Sequence, residues 1–302
     1  MDGILPLWKP KGMTSHDCVF KVRKLLRMKK VGHTGTLDPD VDGVLPICLG
    51  KATKIAEYIT DAGKVYEGEV TVGFSTTTED ASGEIVDRKN VDRDISIEEI
   101  EIVLHSFIGM INQTPPMFSA VKVKGKRLYE YAREGVTIER PSRTVHIYEL
   151  RLLGDMIEKK NGTISFRFRV HCSKGTYIRT LAVMIGEKLG YPAHMSLLTR
   201  IASAGIEASD CLTFEQLEKA LEEDEIIQYI YPLEKGISHL SFFSLDSNLI
   251  VKIKNGAVLP RPNHWPKHGQ VVMIFEGKAY AIYQVHPENE TLIKPVKVIR
   301  NE

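Results

Sequence analysis

Cysteine and tryptophan are scarce in this chain, with four and two residues among 302. Cys18, Cys48, Cys172 and Cys211 stand far apart, with no CxxC pair and no Cys/His ligand spacing, which argues against a structural zinc. They read instead as small buried residues in a reducing compartment. None of the ten histidines falls in an HExxH or similar spacing, so neither a metal nor a cofactor is expected. No apolar run approaches the length of a membrane span, and Met1-Asp2-Gly3 lacks the basic region and long apolar stretch of a secretory signal. The expected location is the cytoplasm. Charge of one sign is not in excess either: 40 Lys and Arg stand against 39 Asp and Glu, and a net charge of +1 does not suit a general polyanion sponge. There is no internal repeat and no low-complexity segment.

The chain does have enough apolar sequence, 43% of its residues, to bury a large core, and its length suits one large domain and one small one. Its charge is unevenly spread. Residues 21–30 hold six basic groups and no acid, and residues 122–133 hold five basic groups interleaved with Tyr129 and Tyr131. Acid gathers in residues 215–225. Basic patches of this kind can neutralise phosphates while aromatic rings stack on bases, although the same patches also read as solvated faces.

Periodicity marks the elements. Thr14 and Asp17 have capping-box spacing ahead of Val19, Val22, Leu25 and Leu26, which predicts a helix running to about Lys29. From Tyr66, apolar and polar residues alternate through Val72, as in a strand with one buried face. Ser96 and Glu99 precede an amphipathic helix that Gly109 can end. Alternation from Ile164 to Cys172 is the clearest strand in the chain; residues 173–176 break it, and a helix follows from about Thr180 to Leu189, closed by Gly190 and Pro192. Residues 112–143 have only a weak periodic pattern and mix Pro115-Pro116, two glycines and many basic groups. That composition predicts a projecting, partly mobile insertion that closes on a ligand, or else a plain surface loop. Beyond an acidic helix expected over residues 213–227, Pro232 and Gly236 mark a boundary. Short apolar runs separated by turns then predict a small β-rich module, with Glu276-Gly277-Lys278 as a hairpin connection.

One segment stands apart, GHTGTLDPDVDGVLPICLG at residues 32–50. Pro39 pushes Asp38 toward extended backbone, the glycines permit turns that a Cβ resists, and Val44 to Leu49 reads as a buried anchor. An Asp-Pro pair alone is only a common turn starter. The segment as a whole resembles the GHTGTLDP signature of the TruB family of tRNA pseudouridine synthases. Residues 8–15, WKPKGMTS, look like that family's opening segment; residues 113–122, QTPPMFSAVK, look like its QxPPxxSAxK segment; and residues 171–179, HCSKGTYIR, are similar to its CSKGTYIR strand and loop.

The resemblance implies an α+β fold. Residues 1–235 would form a pseudouridine synthase catalytic domain with a mixed, largely antiparallel sheet, flanking helices and an RNA-clamping insertion at about 112–143. Residues 236–302 would form a PUA-like RNA-binding domain, a likeness resting on position and pattern. It also implies isomerisation of uridine to pseudouridine at position 55 in the T loop of tRNA. The matching positions put the reacting carboxylate at Asp38, a base-stacking aromatic at Tyr66 and a carboxylate-orienting guanidinium at Arg179. Whether Asp38 attacks the sugar or the pyrimidine stays open. His33 would fill the gap left by the everted base, Leu198 or its neighbour Leu197 would pack on the base, Lys9 and Pro10 would support the catalytic loop, and Lys174 and Tyr177 would contact RNA. Asp40 and Asp42 depart from the small residues common there and add negative charge near an RNA site. No obligatory protein partner is implied, and a monomer is expected. The rivals are a guide-RNA-dependent synthase with partner proteins and a tRNA-binding chaperone; a zinc deaminase is excluded because its HxE and PCxxC ligands are absent.

Overall fold

Thr14 and Asp17 form the capping box their spacing predicts: the Thr14 hydroxyl accepts from the Asp17 N–H at 3.0 Å, and the Asp17 carboxylate accepts from the Thr14 N–H at 2.8 Å. In this computed structural model, which describes residues 1–266 and 269–301, the helix covers Ser15–Leu26. It ends before Lys29 because Arg27 adopts left-handed backbone (φ 51°), and the rest of the basic run forms the turn into the strand Val31–His33. Contacts divide the chain into two units. Unit 1 comprises Met1–Asp40, Val44–Ala62 and Ala204–Glu302; unit 2 comprises Val41–Gly43 and Gly63–Ser203.

The strand Asp42–Leu49, which belongs to unit 1 from Val44 onward, runs beside Gly3–Lys9 and pairs antiparallel with Val31–His33. Its residues from Gly43 onward are all buried, as the apolar run predicts. One core layer packs Leu5, Leu7, Leu45, Ile47 and Leu49 against Val19 and Val22 of the first helix and Phe214 and Leu217 of a later one. That later helix covers only Phe214–Glu222, shorter than the expected 213–227. Its chain turns at Asp224, which has left-handed backbone (φ 57°), and a separate 3-10 turn follows at Ile226–Tyr229.

The C-terminal sheet of unit 1 has the strand order Ser241–Ser244, Val271–Phe275, Lys278–His286, Asn289–Val298, Leu259–Pro260. The hairpin is the one read from Glu276-Gly277, with both residues left-handed (φ 48° and 74°), as a two-residue connection demands. One apolar run is not a strand: Leu249 closes a 3-10 turn and Ile250–Lys254 is a short helix, because its apolar residues Leu249, Ile250 and Ile253 recur at helical spacing. The expected boundary at 235/236 falls inside unit 1. There Ile4, Val44, Ile55 and Ile59 share a core with Ile237, Val272, Ile282 and Ile299. Gly236 is buried at that junction, and a Cβ on it would lie 2.6 Å from Ile4 Cδ1 and 2.7 Å from Ile59 Cδ1.

Unit 2 is built around the strand Lys64–Val72, which pairs antiparallel with Thr163–Cys172 on one side and Ala193–Ser203 on the other. Arg143–Leu152 and then Gly109–Gln113 continue the sheet beyond Thr163–Cys172. Pairing between these strands is antiparallel, as expected, while Asp42 and Gly43 run parallel beside Thr199 and Arg200. Gly43 is required there. Its φ is 124°, and an added Cβ would sit 2.2 Å from Arg200 O. The helices Ile97–His105 and Ile178–Leu189 pack on this sheet, the second ended by Gly190 in left-handed backbone (φ 87°). The insertion is a hairpin of Lys122–Val123 and Lys126–Arg127 followed by a short helix, Leu128–Arg133.

Candidate active site

In unit 1, Asp38 sits half-buried between Leu37, 4% exposed, and the exposed Pro39. Both neighbouring residues are pinned through their backbone. The buried Ser15 hydroxyl accepts from the Leu37 N–H at 2.9 Å and donates to the Leu37 carbonyl at 3.3 Å. On the other side, the Pro39 carbonyl accepts from the Gly12 N–H at 2.9 Å and from Lys9 Nζ at 3.1 Å. Lys9 is fully buried and also donates to the Pro10 carbonyl at 2.9 Å. An ammonium can occupy such a site when carbonyl dipoles replace its water. Lys9, from the opening WKPKGMTS segment, is thus tied to the loop at Pro39.

Upstream, Thr34 is buried and donates through both its N–H and its hydroxyl to the Pro46 carbonyl, each at 3.3 Å. His33 Nδ1 accepts from the Gly35 N–H at 3.3 Å, which in the neutral ring puts the proton on Nε2. The chain enters unit 2 at Val41. There Asp42, one of the two unexpected acids, accepts from the Thr199 hydroxyl at 2.7 Å, so its charge is engaged within the sheet, while Asp40 is exposed.

In unit 2, Tyr66 is 7% exposed and is register-paired with Arg200, while Gly68 pairs with Leu198. Tyr66 and Gly68 share one strand face. Leu198 lies on that same face, because a Cβ built on Gly68 would meet Leu198 Cδ1 at 3.1 Å. Leu197 is 44% exposed, so of the two leucines Leu198 is the neighbour of Tyr66.

Arg179 is the second residue of the helix Ile178–Leu189 and is 5% exposed. Its Nη1 donates to the Thr78 carbonyl and its Nη2 to the Phe118 carbonyl, both at 2.9 Å, and Asp80 Oδ2 lies 3.7 Å from Nη1. Asp80 is itself fixed by the hydroxyls of Thr78 and Ser82 at 2.6 Å. Next to it, Glu79 has left-handed backbone (φ 63°) and accepts from the Thr180 hydroxyl at 2.6 Å. Burial pushes the Glu79 carboxyl up, against the opposing pull of Thr180, Arg179 and Arg140. Sequence reading assigned no role to Thr78, Glu79, Asp80 or Phe118; the acidic pair in a Thr-rich turn was the visible signal.

Tyr177 caps this helix from the N-terminal side, with the Arg143 guanidinium 4.6 Å above its ring, and Lys174 is exposed in the preceding turn. Among the described residues no group of three or more His, Cys, Asp or Glu could hold a metal ion. Among the described residues no helix is long and apolar enough to cross a membrane. Three of the cysteines are buried thiols that burial pushes up, Cys18 and Cys172 to about 11 and Cys48 to about 12.

Residues 23–178 match the TruB family pseudouridylate synthase N-terminal domain, and residues 179–238 match the tRNA pseudouridylate synthase B C-terminal domain. A tRNA pseudouridine synthase B from Geobacillus thermodenitrificans is 55% identical over 302 residues, covering 99% of this chain and all of the relative. One from Listeria welshimeri serovar 6b is 54% identical over 301 residues, covering 99% and 98%. Among solved structures, a Cbf5-Nop10-Gar1 complex contains a chain with TM-score 0.73 and 28% identity, spanning 99% of this chain and 85% of that one. An H/ACA RNP bound to a substrate RNA containing 2'-deoxyuridine gives TM-score 0.72 and 26% identity, with 99% and 85% coverage. With both family domains matched in order and over half of all positions shared end to end with such relatives, this chain belongs to the TruB family of pseudouridylate synthases.

Proposed function

We propose that this protein isomerises uridine to pseudouridine at position 55 in the T loop of tRNA, with Asp38 as the reacting carboxylate. The observation that carries the reading is the bracing around Asp38 in a chain of this family: Ser15 on one side, Gly12 and the buried Lys9 on the other, hold the backbone of its neighbours Leu37 and Pro39. Pre-organised backbone around one acid is what covalent or electrostatic catalysis requires.

The reaction breaks the N-glycosidic bond, turns the detached uracil, and joins its C5 to the sugar, with loss of the C5 proton and gain of a proton at the freed N1. It needs no energy source. The target lies inside a folded loop, so it must be everted, and His33 takes the space it leaves. The face that carries Tyr66 and Leu198 holds the detached ring by stacking and apolar contact, and the Tyr66 hydroxyl is available to relay the C5 proton. Arg179 keeps the carboxylate ionised and aligned. Lys174, Tyr177 and the insertion at 112–143 grip the RNA backbone, and residues 236–302 add a PUA-like RNA contact. The protein acts in the cytoplasm as a monomer without an obligatory protein partner.

The test is tRNA labelled with tritium at uracil C5. Wild type releases the label and Asp38→Asn does not; equal release by both removes the proposed role of Asp38. The Cbf5 chains of similar fold are found in complexes with partner proteins, which favours a partner-dependent enzyme as the second reading. Turnover of bare tRNA by the purified chain excludes it. Refolding of tRNA by Asp38→Asn reveals whether a chaperone activity accompanies catalysis.

A further inference from the structure

Gln113 ends the strand Gly109–Gln113 where the insertion begins, and Arg143 starts the strand Arg143–Leu152 where it ends. The two are register partners, so they form the root of the insertion. Both hold Tyr177. Gln113 Nε2 donates to the Tyr177 carbonyl at 3.2 Å and Gln113 Oε1 accepts from the Tyr177 N–H at 3.0 Å, so one amide side chain satisfies both polar groups of that residue. Gln113 is 1% exposed, and Arg143 covers the Tyr177 ring. Tyr177 is the cap of the helix whose second residue is Arg179. Further along the insertion, the Phe118 carbonyl accepts directly from Arg179 Nη2. Arg140, near the other end, donates to the Pro115 carbonyl at 3.0 Å and closes the segment on itself.

We propose that Gln113 is a positioning residue for catalysis: through Tyr177 it locks the first turn of the Arg179 helix to the root of the insertion, so that the insertion and the guanidinium adopt one geometry together. The inference rests on the function proposed above. A buried, two-way amide clasp fits this role because an amide donates and accepts in one plane at every pH, which a carboxyl of the same length does only when protonated. RNA that draws the insertion onto itself therefore also sets the arginine, and substrate capture is coupled to assembly of the reacting groups.

The experiment measures single-turnover tritium release at saturating tRNA, and tRNA affinity separately, for wild type, Gln113→Ala and Gln113→Glu. Gln113→Ala is expected to release label about ten- to a hundredfold more slowly, with affinity within about threefold of wild type. Gln113→Glu accepts from the Tyr177 N–H at every pH but donates to the Tyr177 carbonyl only when protonated. Its rate relative to wild type therefore rises as pH falls from 8 to 5.5. A folded Gln113→Ala enzyme with the wild-type rate, or one whose loss lies wholly in affinity, overturns the inference. If Gln113→Ala does not fold, the Gln113→Glu profile decides, and a ratio to wild type that is flat with pH is the overturning result. Absence of release by wild type removes the proposed function instead, so the two failures are distinguishable.

Discussion

The Asp38 loop and the Arg179 corner are both rigid, but they are held in different ways. Asp38 is braced by Lys9, Gly12 and Ser15, neighbours within one short stretch of the N-terminal sequence. Arg179 is held by carbonyls of Thr78 and Phe118, which come from a turn and an insertion far away in the chain. The first arrangement is written in side chains and appears as a motif. The second is written mainly in backbone groups, which every residue type carries, and so leaves little trace in the sequence.

The contrast can be broken experimentally, and the severest break is Arg179→Lys. A single ammonium cannot donate to two carbonyls set for a planar fork, so turnover should fall about a hundred- to thousandfold while the charge is retained. Activity within tenfold of wild type would mean that charge alone suffices. Gly43→Ala tests the strand through which the Asp38 loop continues. A Cβ 2.2 Å from Arg200 O at φ 124° should cost about 3 kcal/mol, seen as a drop of about 6–12 °C in thermal midpoint. An unchanged midpoint would show that the strand yields.

Lys9→Met sharpens the comparison from the other side. It removes the ammonium from the Pro39 and Pro10 carbonyls but leaves the Gly12 N–H on Pro39, so turnover should fall about tenfold. Stability should hold or rise, because a buried charge is replaced by a thioether of similar length. The smallest effect concerns Glu79. Burial raises its carboxyl above the usual carboxylate range, so the native state holds this proton longer than the unfolded chain does. Its contribution to stability is full below about pH 4.5 and declines as pH rises through the folded value. Glu79→Gln, neutral throughout, should match wild type near pH 4 and exceed it by about 2 °C in midpoint at pH 8. A constant difference across pH would mean that Glu79 is not desolvated.

Much of the fold was legible because alternation and capping are local. The strand from Thr163 to Cys172, the capping box at Thr14 and the hairpin at Glu276-Gly277 follow from spacing alone. Helix ends were less legible, since Arg27 and Asp224 turn the chain in left-handed backbone that neither residue type announces. The apolar run at Leu249 to Ile253 was too short for alternation to separate strand from helix. Motifs named the candidate residues, but which carbonyls would support Arg179 was not legible, because Thr78 and Phe118 act through their backbone. Likewise, the short apolar runs after Gly236 did not say that Ile4 and Ile59 would share a core with Val272 and Ile299.

That shared core has a consequence for how the polypeptide is made. Unit 2 closes over one continuous stretch, residues 63–203, plus three residues already synthesised, so a nascent chain can finish it before residues 204–302 are made. Ile4 and Val44 instead lack part of their shared core until Val272, Ile282 and Ile299 have left the ribosome. A prematurely terminated product therefore carries a finished half and a sticky one, and it is the amino-terminal strands, first to be born, that are last to be sheltered.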